Sequence, residues 1–285
     1  MSTSDVTPAF AEHLIPLRIE PPSHWLALPY AELWAYRGLI YFFVWRDVKI
    51  RYKQTAIGAL WAVLQPLLTM AVFSLFFGKL GHIPSDGLPY PLFYYSALLP
   101  WTYFATALQN TTNTIVDNQR LITKVYFPRL ALPLSSVMSG LVDFSISFLI
   151  FLAMMVYYRV RPHEALFWLP VFLLLAVLTA LGVGLLLAAL NAIYRDVRYI
   201  LPFLVQIWMF ASPVAYPSSL VPERWRWLYG LNPMAGVIEG FRWSLTGSGH
   251  APTLLFAASF IVVIVALLSG FAYFQKTETT IADVV

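Results

Sequence analysis

Arg46, Lys49, Arg51 and Lys53 bring four cations into eight residues, with Asp47 the one carboxylate among them. Directly after them the stretch from Gln54 to Gly78 carries no charge. Cations set this tightly against an apolar run can meet anionic lipid headgroups or a partner. They also hold their own segment on one side of a bilayer. On a helix Arg46, Lys49 and Lys53 share one face, and Tyr41, Val44, Trp45, Val48 and Tyr52 share another. Residues 31–54 therefore read as an amphipathic helix at the membrane surface.

The other ionisable group of interest is Asp143, alone in the apolar stretch between Arg129 and Arg159. A carboxylate there costs roughly 2.5–3.5 kcal/mol on insertion scales, so it must face a helix bundle or a wet cavity. It either lines a conduit or couples its motion, or it is bonded to Ser145, Ser147, a neighbouring hydroxyl or a partner chain. Other chemistry is missing. With no cysteine, thiolate metal sites and thiol catalysis are excluded. No phosphate-binding loop of the G-x-x-x-x-G-K-[ST] type occurs. His163-Glu164 opens a zinc-protease pattern, but Phe167 stands where the second histidine is needed. The Gly182-Val183-Gly184 triplet lies in an apolar helix and reads as close helix packing.

These residues sit in a chain that is 59% hydrophobic and 11% charged. Soluble domains carry about 25% charged residues, so lipid is the solvent for most of this chain. Gaps between charges place six spans, at about 56–78, 91–114, 133–157, 166–190, 199–216 and 252–274, within a transmembrane domain covering 55–276. The expected class is an all-α integral membrane protein with six transmembrane helices. The N-terminal stretch lacks the basic start, apolar core and cleavage site of a signal peptide, so residues 1–30 are expected to stay in the cytoplasm. On that orientation the inside connections hold 12 of the 18 Lys and Arg residues, which puts both termini, including the tail 277–285, inside.

Two connections carry structure of their own. In 115–133, Asp117 or Asn118 can cap a short inside helix that Tyr126-Phe127-Pro128-Arg129 ends. In the outer segment 217–250, Asn232 is an N-cap with Pro233 at the first helical position. Met234, Val237, Ile238, Phe241 and Leu245 then share a face, and Glu239 is placed to pair with Arg242 at i,i+3.

Four blocks resemble the membrane subunit of ABC-type polysaccharide exporters, the permeases for O-antigen, capsule and teichoic acid chains. They are RDVKIRYKQTAIGALWAVLQPLL (46–68), NQRLITKVYFPRLALP (118–133), NAIYRDVRYI (191–200) and SPVAYPSSLVPERWRWLYGLNPMAGVIEGFRWSLTG (212–247). The resemblance implies a homodimer of six-span subunits in the bacterial cytoplasmic membrane, above two ABC ATPase subunits. It implies export of a polyprenyl-diphosphate-linked glycan, with ATP and Mg used by the partner, no cofactor on this chain and no nucleic acid. By position, Asp117, Asn118, Gln119, Arg120, Leu121, Ile122, Lys124 and Tyr126 would couple to the ATPase. Arg46, Asp47, Lys49, Arg51 and Lys53 would meet lipid headgroups, the diphosphate or the ATPase, and 217–247 would cap the outer mouth.

Aromatic residues make up 16% of the chain. They serve interfacial belts and helix packing, or offer flat faces along which a sugar chain slides. Candidate conduit liners are Trp61, Phe73, Phe77, Asp143, Phe203, Trp208 and Phe210. Two other functions fit the same residues: export of small amphiphiles or drugs, and a membrane scaffold for glycan synthesis.

Overall fold

The computed structural model describes residues 30–53, 58–248 and 254–284, which form helices and turns with no strand among them. The segment 1–29 and the expected starts of the first and last spans lie outside the described residues. In chain order the helices are α1 (Tyr30–Ala35), α2 (Arg37–Lys53), α3 (Gly58–Phe73), α4 (Tyr90–Asp117), α5 (Gln119–Ile122), α6 (Ala131–Tyr157), α7 (Leu169–Ile193), α8 (Val197–Phe210), α9 (Glu223–Gly230), α10 (Pro233–Thr246) and α11 (Leu254–Val284). The wider π-helical turns of Ser74–Leu80 extend α3, and a 3-10 turn at Glu164–Trp168 leads into α7.

Among the described residues four stretches are long and apolar enough to cross a membrane: Val63–Leu80, Ala131–Tyr157, Glu164–Ile193 and Phe256–Glu278. The 28 residues of α4 reach about 42 Å. Its second half, however, carries the polar run Gln109-Asn110-Thr111-Thr112-Asn113-Thr114. The 14 residues of α8 reach about 21 Å, short of a hydrocarbon core of about 30 Å. The helix expected across 199–216 stops at Phe210. Pro213 removes a donor and disfavours helix at Ser212, and 211–216 folds into a turn whose Pro213, Val214 and Ala215 are buried.

At the centre α7 packs against α4 and α11, and α4 packs against α6. Glycines allow the closest approaches. A Cβ on Gly182 would lie 2.7 Å from the Leu267 backbone, and one on Gly184 would lie 2.7 Å from the Thr111 side chain. The Gly-Val-Gly triplet is thus a packing device. Phe93, Tyr94, Tyr95, Phe104, Phe151, Phe172 and Phe241 are fully buried in the main core. Much of the aromatic content therefore holds helices together.

The segment 212–247 follows its sequence signals closely. The Asn232 side chain accepts from the Met234 N–H at 3.1 Å, and Gly247 ends α10 in the left-handed conformation at φ 70°. Met234, Val237, Ile238, Phe241 and Leu245 are all buried. The helix α10 lies at one end of the bundle with α9, the 81–89 turn and the start of α11.

The opposite end holds α1, α2, α5 and the end of α11 around a second core, which includes Phe43, Phe127, Leu132, Ala188 and Phe274. The structure also shows which side of α2 packs inward. Ile40 and Phe43 point into the protein, while Tyr41 and Trp45 are exposed. Leu39 to Trp45 is an unbroken apolar run, so no single stripe fixes the phase, and the partner helix α6 decides it. Instead of standing apart at a surface, α2 runs along α6, with Phe43 edge-on to Phe127 at 5.5 Å.

Candidate functional site

The last turn of α2 reaches Asp143 halfway along α6. Arg51 donates to one carboxylate oxygen and the Tyr52 hydroxyl to the other. Burial raises the Tyr52 phenol above its ordinary value against the lowering pull of Arg51, so it stays a neutral donor. Of the serines offered by the sequence, Ser145 turns back to the Leu141 carbonyl at 2.7 Å, and Ser147 lines the same cavity as Asp143. Arg51 and Asp143 also line a cavity of about 230 Å³ between α2, α3, α4 and α6, together with Trp61, Gln65, Thr106 and Asn110. Asp143 is therefore both a counter-charge tying α2 to α6 and part of the cavity wall.

Each role makes its own prediction. Asp143→Ala should lower stability by about 1–3 kcal/mol, the worth of charge-assisted hydrogen bonds in a partly buried site. In a thermal-denaturation cycle with Arg51→Ala, the double variant should lose at least about 0.5 kcal/mol less than the sum of the singles. Additive losses would show that the pair does not stabilise the fold.

The remaining cations of α2 differ in setting. Arg46 bonds its neighbour Asp47 at 2.8 and 3.0 Å, and its guanidinium lies 4.9 Å from the Phe43 ring centroid. Lys49 sits 4.0 Å from the Trp45 ring centroid. Lys49 and Lys53 are exposed.

The connection after α4 is a short projection on a tied base. The expected helix from Asp117 to Tyr126 is realised only as the single turn α5. Its end is marked by Thr123, whose hydroxyl donates to the Gln119 and Arg120 carbonyls at 3.2 and 3.3 Å. Asn118 stands at the N-cap position, but its side chain donates backwards to the Thr114 carbonyl at 2.8 Å. Asp117 does not cap either; it pairs with Arg198 of α8. Arg198 also donates to Asn113 at 3.0 Å, and buried Asn191 of α7 donates to Asn113 at 3.2 Å and to the Thr112 carbonyl at 3.0 Å. Below, Leu121, Ile122 and Phe127 join the second core, and Arg129 donates to the Glu278 carbonyl of α11. Outward, Arg120, Lys124, Val125 and Tyr126 are exposed. The chain thus presents a small basic and apolar knob, with its roots on α4, α7, α8 and α11.

The candidate conduit residues divide. Trp61 is exposed and lines the cavity beside Asp143. Phe203 and Phe210 are exposed on α8. Phe73 is buried edge-on to Phe77 and Tyr94, with Phe77 partly buried beside it. Trp208 packs edge-on to Phe104 at 5.0 Å and donates to Asn232 at 2.8 Å. Reading charges alone missed Gln65, Thr106, Asn110 and Arg198. The run QNTTNT at 109–114 was the available signal, because six consecutive polar residues within a span have no reason to face lipid.

At the other end the expected Glu239–Arg242 pair is absent. Arg242 is buried and turned inward, its guanidinium 3.8 Å from the Phe93 ring centroid and donating to the Pro213 carbonyl at 2.9 Å. Packing α10 on α4 makes the inward position of Arg242 take partners from α4 and the 211–216 turn.

These features define a helical membrane protein with a cavity that sets Arg51, Gln65, Asn110 and Asp143 among apolar side chains, a knob tied to several helices and no nucleotide motif of its own. Residues 38–246 match the model of the ABC-2 type transporter membrane domain. The chain belongs to that family. It is 35% identical over 216 residues to the O-antigen export system permease protein RfbA of Myxococcus xanthus, covering 74% of this chain and 81% of that one. It is 28% identical over 244 residues to the protein of the same name from Klebsiella pneumoniae, covering 84% and 92%. It is 24% identical over 241 residues to the polysialic acid transport protein KpsM of Escherichia coli, covering 82% and 91%.

Proposed function

We propose that this chain is the membrane subunit of an ATP-driven exporter of lipid-linked polysaccharide, O-antigen-like, in a bacterial cytoplasmic membrane. The observation that carries the reading is the α5 knob. Four exposed side chains suited to docking stand on a base bonded directly to α4, α7, α8 and α11, so a push on the knob is felt by helices of the bundle. A separate ATPase pair would supply that push, using ATP and Mg, and the similarity to O-antigen and polysialic acid permeases supports a glycan as cargo.

In this reading α4 and α8 join the four long apolar helices as spans, giving six, with both termini and α5 on the cytoplasmic side. The exposed aromatic and aliphatic faces of α3 (Trp61, Leu68, Val72) and α8 (Phe203, Ile207, Phe210) meet those of a second copy, and the conduit runs between them. Aromatic faces there give a sugar chain wide contacts with few strong hydrogen bonds, so it can slide. Lys49 and Lys53, exposed on the cytoplasmic side, receive headgroups or the diphosphate at about 1 kcal/mol each.

Deleting the gene tests the function. Lipid-linked glycan should accumulate in the cytoplasm while surface polysaccharide disappears. Unchanged surface polysaccharide in the deletion strain would refute the proposal, and new drug sensitivity in the same strain would point to small amphiphiles as the cargo.

A further inference from the structure

The end of the bundle capped by α9 and α10 holds enclosed polar atoms that lack hydrogen-bond partners. They are Oε1 of Glu239, Nε of Arg242 and the hydroxyls of Tyr94 and Tyr229, contributed by α10, α4 and α9. A dry, unpaired group of this kind costs about 1–3 kcal/mol, and here four gather in one place. Arg242 has taken the Phe93 ring and the Pro213 carbonyl in preference to the carboxylate one turn earlier on its own helix. That choice fastens three elements together: α10, the top of α4 and the turn that follows α8.

We propose that Glu239 and Arg242 form a proton-operated latch on the mouth of the protein. With Glu239 protonated, Arg242 clamps the 211–216 turn and α4 to α10. When Glu239 gives its proton to solvent, its carboxylate needs a cation within reach, and Arg242 supplies one by rotating towards it. The rotation releases the Pro213 carbonyl and the Phe93 face, so α4 loses its tie through Arg242 to the cap, while Asn232 still holds Trp208, Ala211 and Ser212 to α10. One guanidinium thus has two mutually exclusive sets of partners, and a single proton selects between them.

The surroundings favour this arrangement. Burial pushes the Glu239 carboxyl from 4.5 up to about 7, although Arg242 and Arg226 pull it down; Asp86 adds to the rise. Burial lowers Arg242 to about 10, opposed first by Glu239 and then by Asp86, Tyr229 and Tyr94, so it remains a cation throughout. Burial also raises the Tyr229 phenol, which Tyr216 and Glu239 push further, so neither switch position involves a phenolate at Tyr229. The charged and titratable groups facing Glu239 are thus Arg242 on its own helix, Arg226 and Tyr229 from α9, and Asp86 from the turn before α4. Tyr216 stands behind Tyr229, and Tyr94 stands behind Arg242. A carboxyl raised by folding favours the closed form fully below about 4.5 and loses that contribution as pH rises through about 7. Acid on the capped side therefore closes the latch and alkali opens it.

The natural absence of cysteine makes the test direct. Pro84→Cys and Leu220→Cys place one spin label on the turn before α4 and one beyond the 211–216 turn, in the full chain in lipid nanodiscs. Between about pH 5 and about pH 9 the narrow, closed distance population should fall at least about tenfold relative to the open one. Glu239→Gln, neutral and of the same shape, should keep the narrow population at both values. A distance distribution that ignores pH, or a Glu239→Gln variant that responds as the parent does, would overturn the proposal. If that variant fails to fold, the parent titration decides alone. The distance readout needs neither partner nor cargo, so it stands apart from whether the exported molecule is a glycan.

Discussion

Replacing Gly270 with alanine should prevent the protein from accumulating in a folded state. A Cβ there would lie 2.0 Å from the Gly182 carbonyl oxygen and 3.0 Å from the Gly182 carbonyl carbon. Both obstacles are backbone, so no side chain can rotate aside, and α7 and α11 would have to separate. They are the most extensively packed helix pair in the protein. Lipid provides no hydrophobic drive to hold helices together, so the loss of close packing is not offset. Overpacking costs about 1–3 kcal/mol, and a backbone clash lies at the upper end of that range or beyond. Gly38→Ala is the control, because a Cβ on Gly38 meets nothing within 4 Å. Yield and thermal midpoint in detergent should fall for Gly270→Ala and stay near the parent for Gly38→Ala. Equal midpoints for the two variants would mean that α7 and α11 are not held by this contact.

The second large effect is functional. Arg120→Glu combined with Lys124→Glu should abolish export while leaving the protein stable. Both residues are exposed and neither bonds another side chain among the described residues, so stability should change by no more than about 0.5 kcal/mol. Docking of the ATPase should weaken by at least about 2 kcal/mol, or about thirtyfold in affinity, because reversal turns complementary contacts into repulsive ones. Co-purification of the ATPase and surface display of the polymer are the measurements. Intact export in this variant would remove α5 as the docking element. Arg198 offers a useful contrast: its pair with Asp117 lies in the base of the knob, so Arg198→Ala should affect transmission more than docking.

Different parts of the fold were legible to different degrees. The helix α10 could be read almost residue by residue, because the Asn232 cap, Pro233 and the 3.6-residue apolar period all specify the same helix in the same phase. The knob was legible in place but not in length. Asp117 and Asn118 are good caps by type, yet one is drawn off by Arg198 and the other by Thr114, so the helix shrinks to a single turn. The side of α2 that packs on α6 was not legible, because seven consecutive apolar residues carry no phase information. The i,i+3 pairing of Glu239 and Arg242 failed for a related reason: the rule describes an isolated helix in water, and here a ring and a carbonyl on other elements compete for the cation.

The sequence by itself determined that this chain is helical and lives in lipid. Apolar run lengths, charge gaps and turn residues are local properties, and membrane burial forces every backbone group into a helix. It also marked the knob, the cap and the charged approach to α3 as places of interest. Only the tertiary structure decided what the charges do. Arg51 meets Asp143 across 92 positions of sequence, Arg198 meets Asp117 across 81, and Arg242 chooses Phe93 and Pro213 over Glu239. A charge in a low-dielectric bundle takes whichever partner packing brings near, and that depends on how helices lie against one another, which no local stretch of residues encodes.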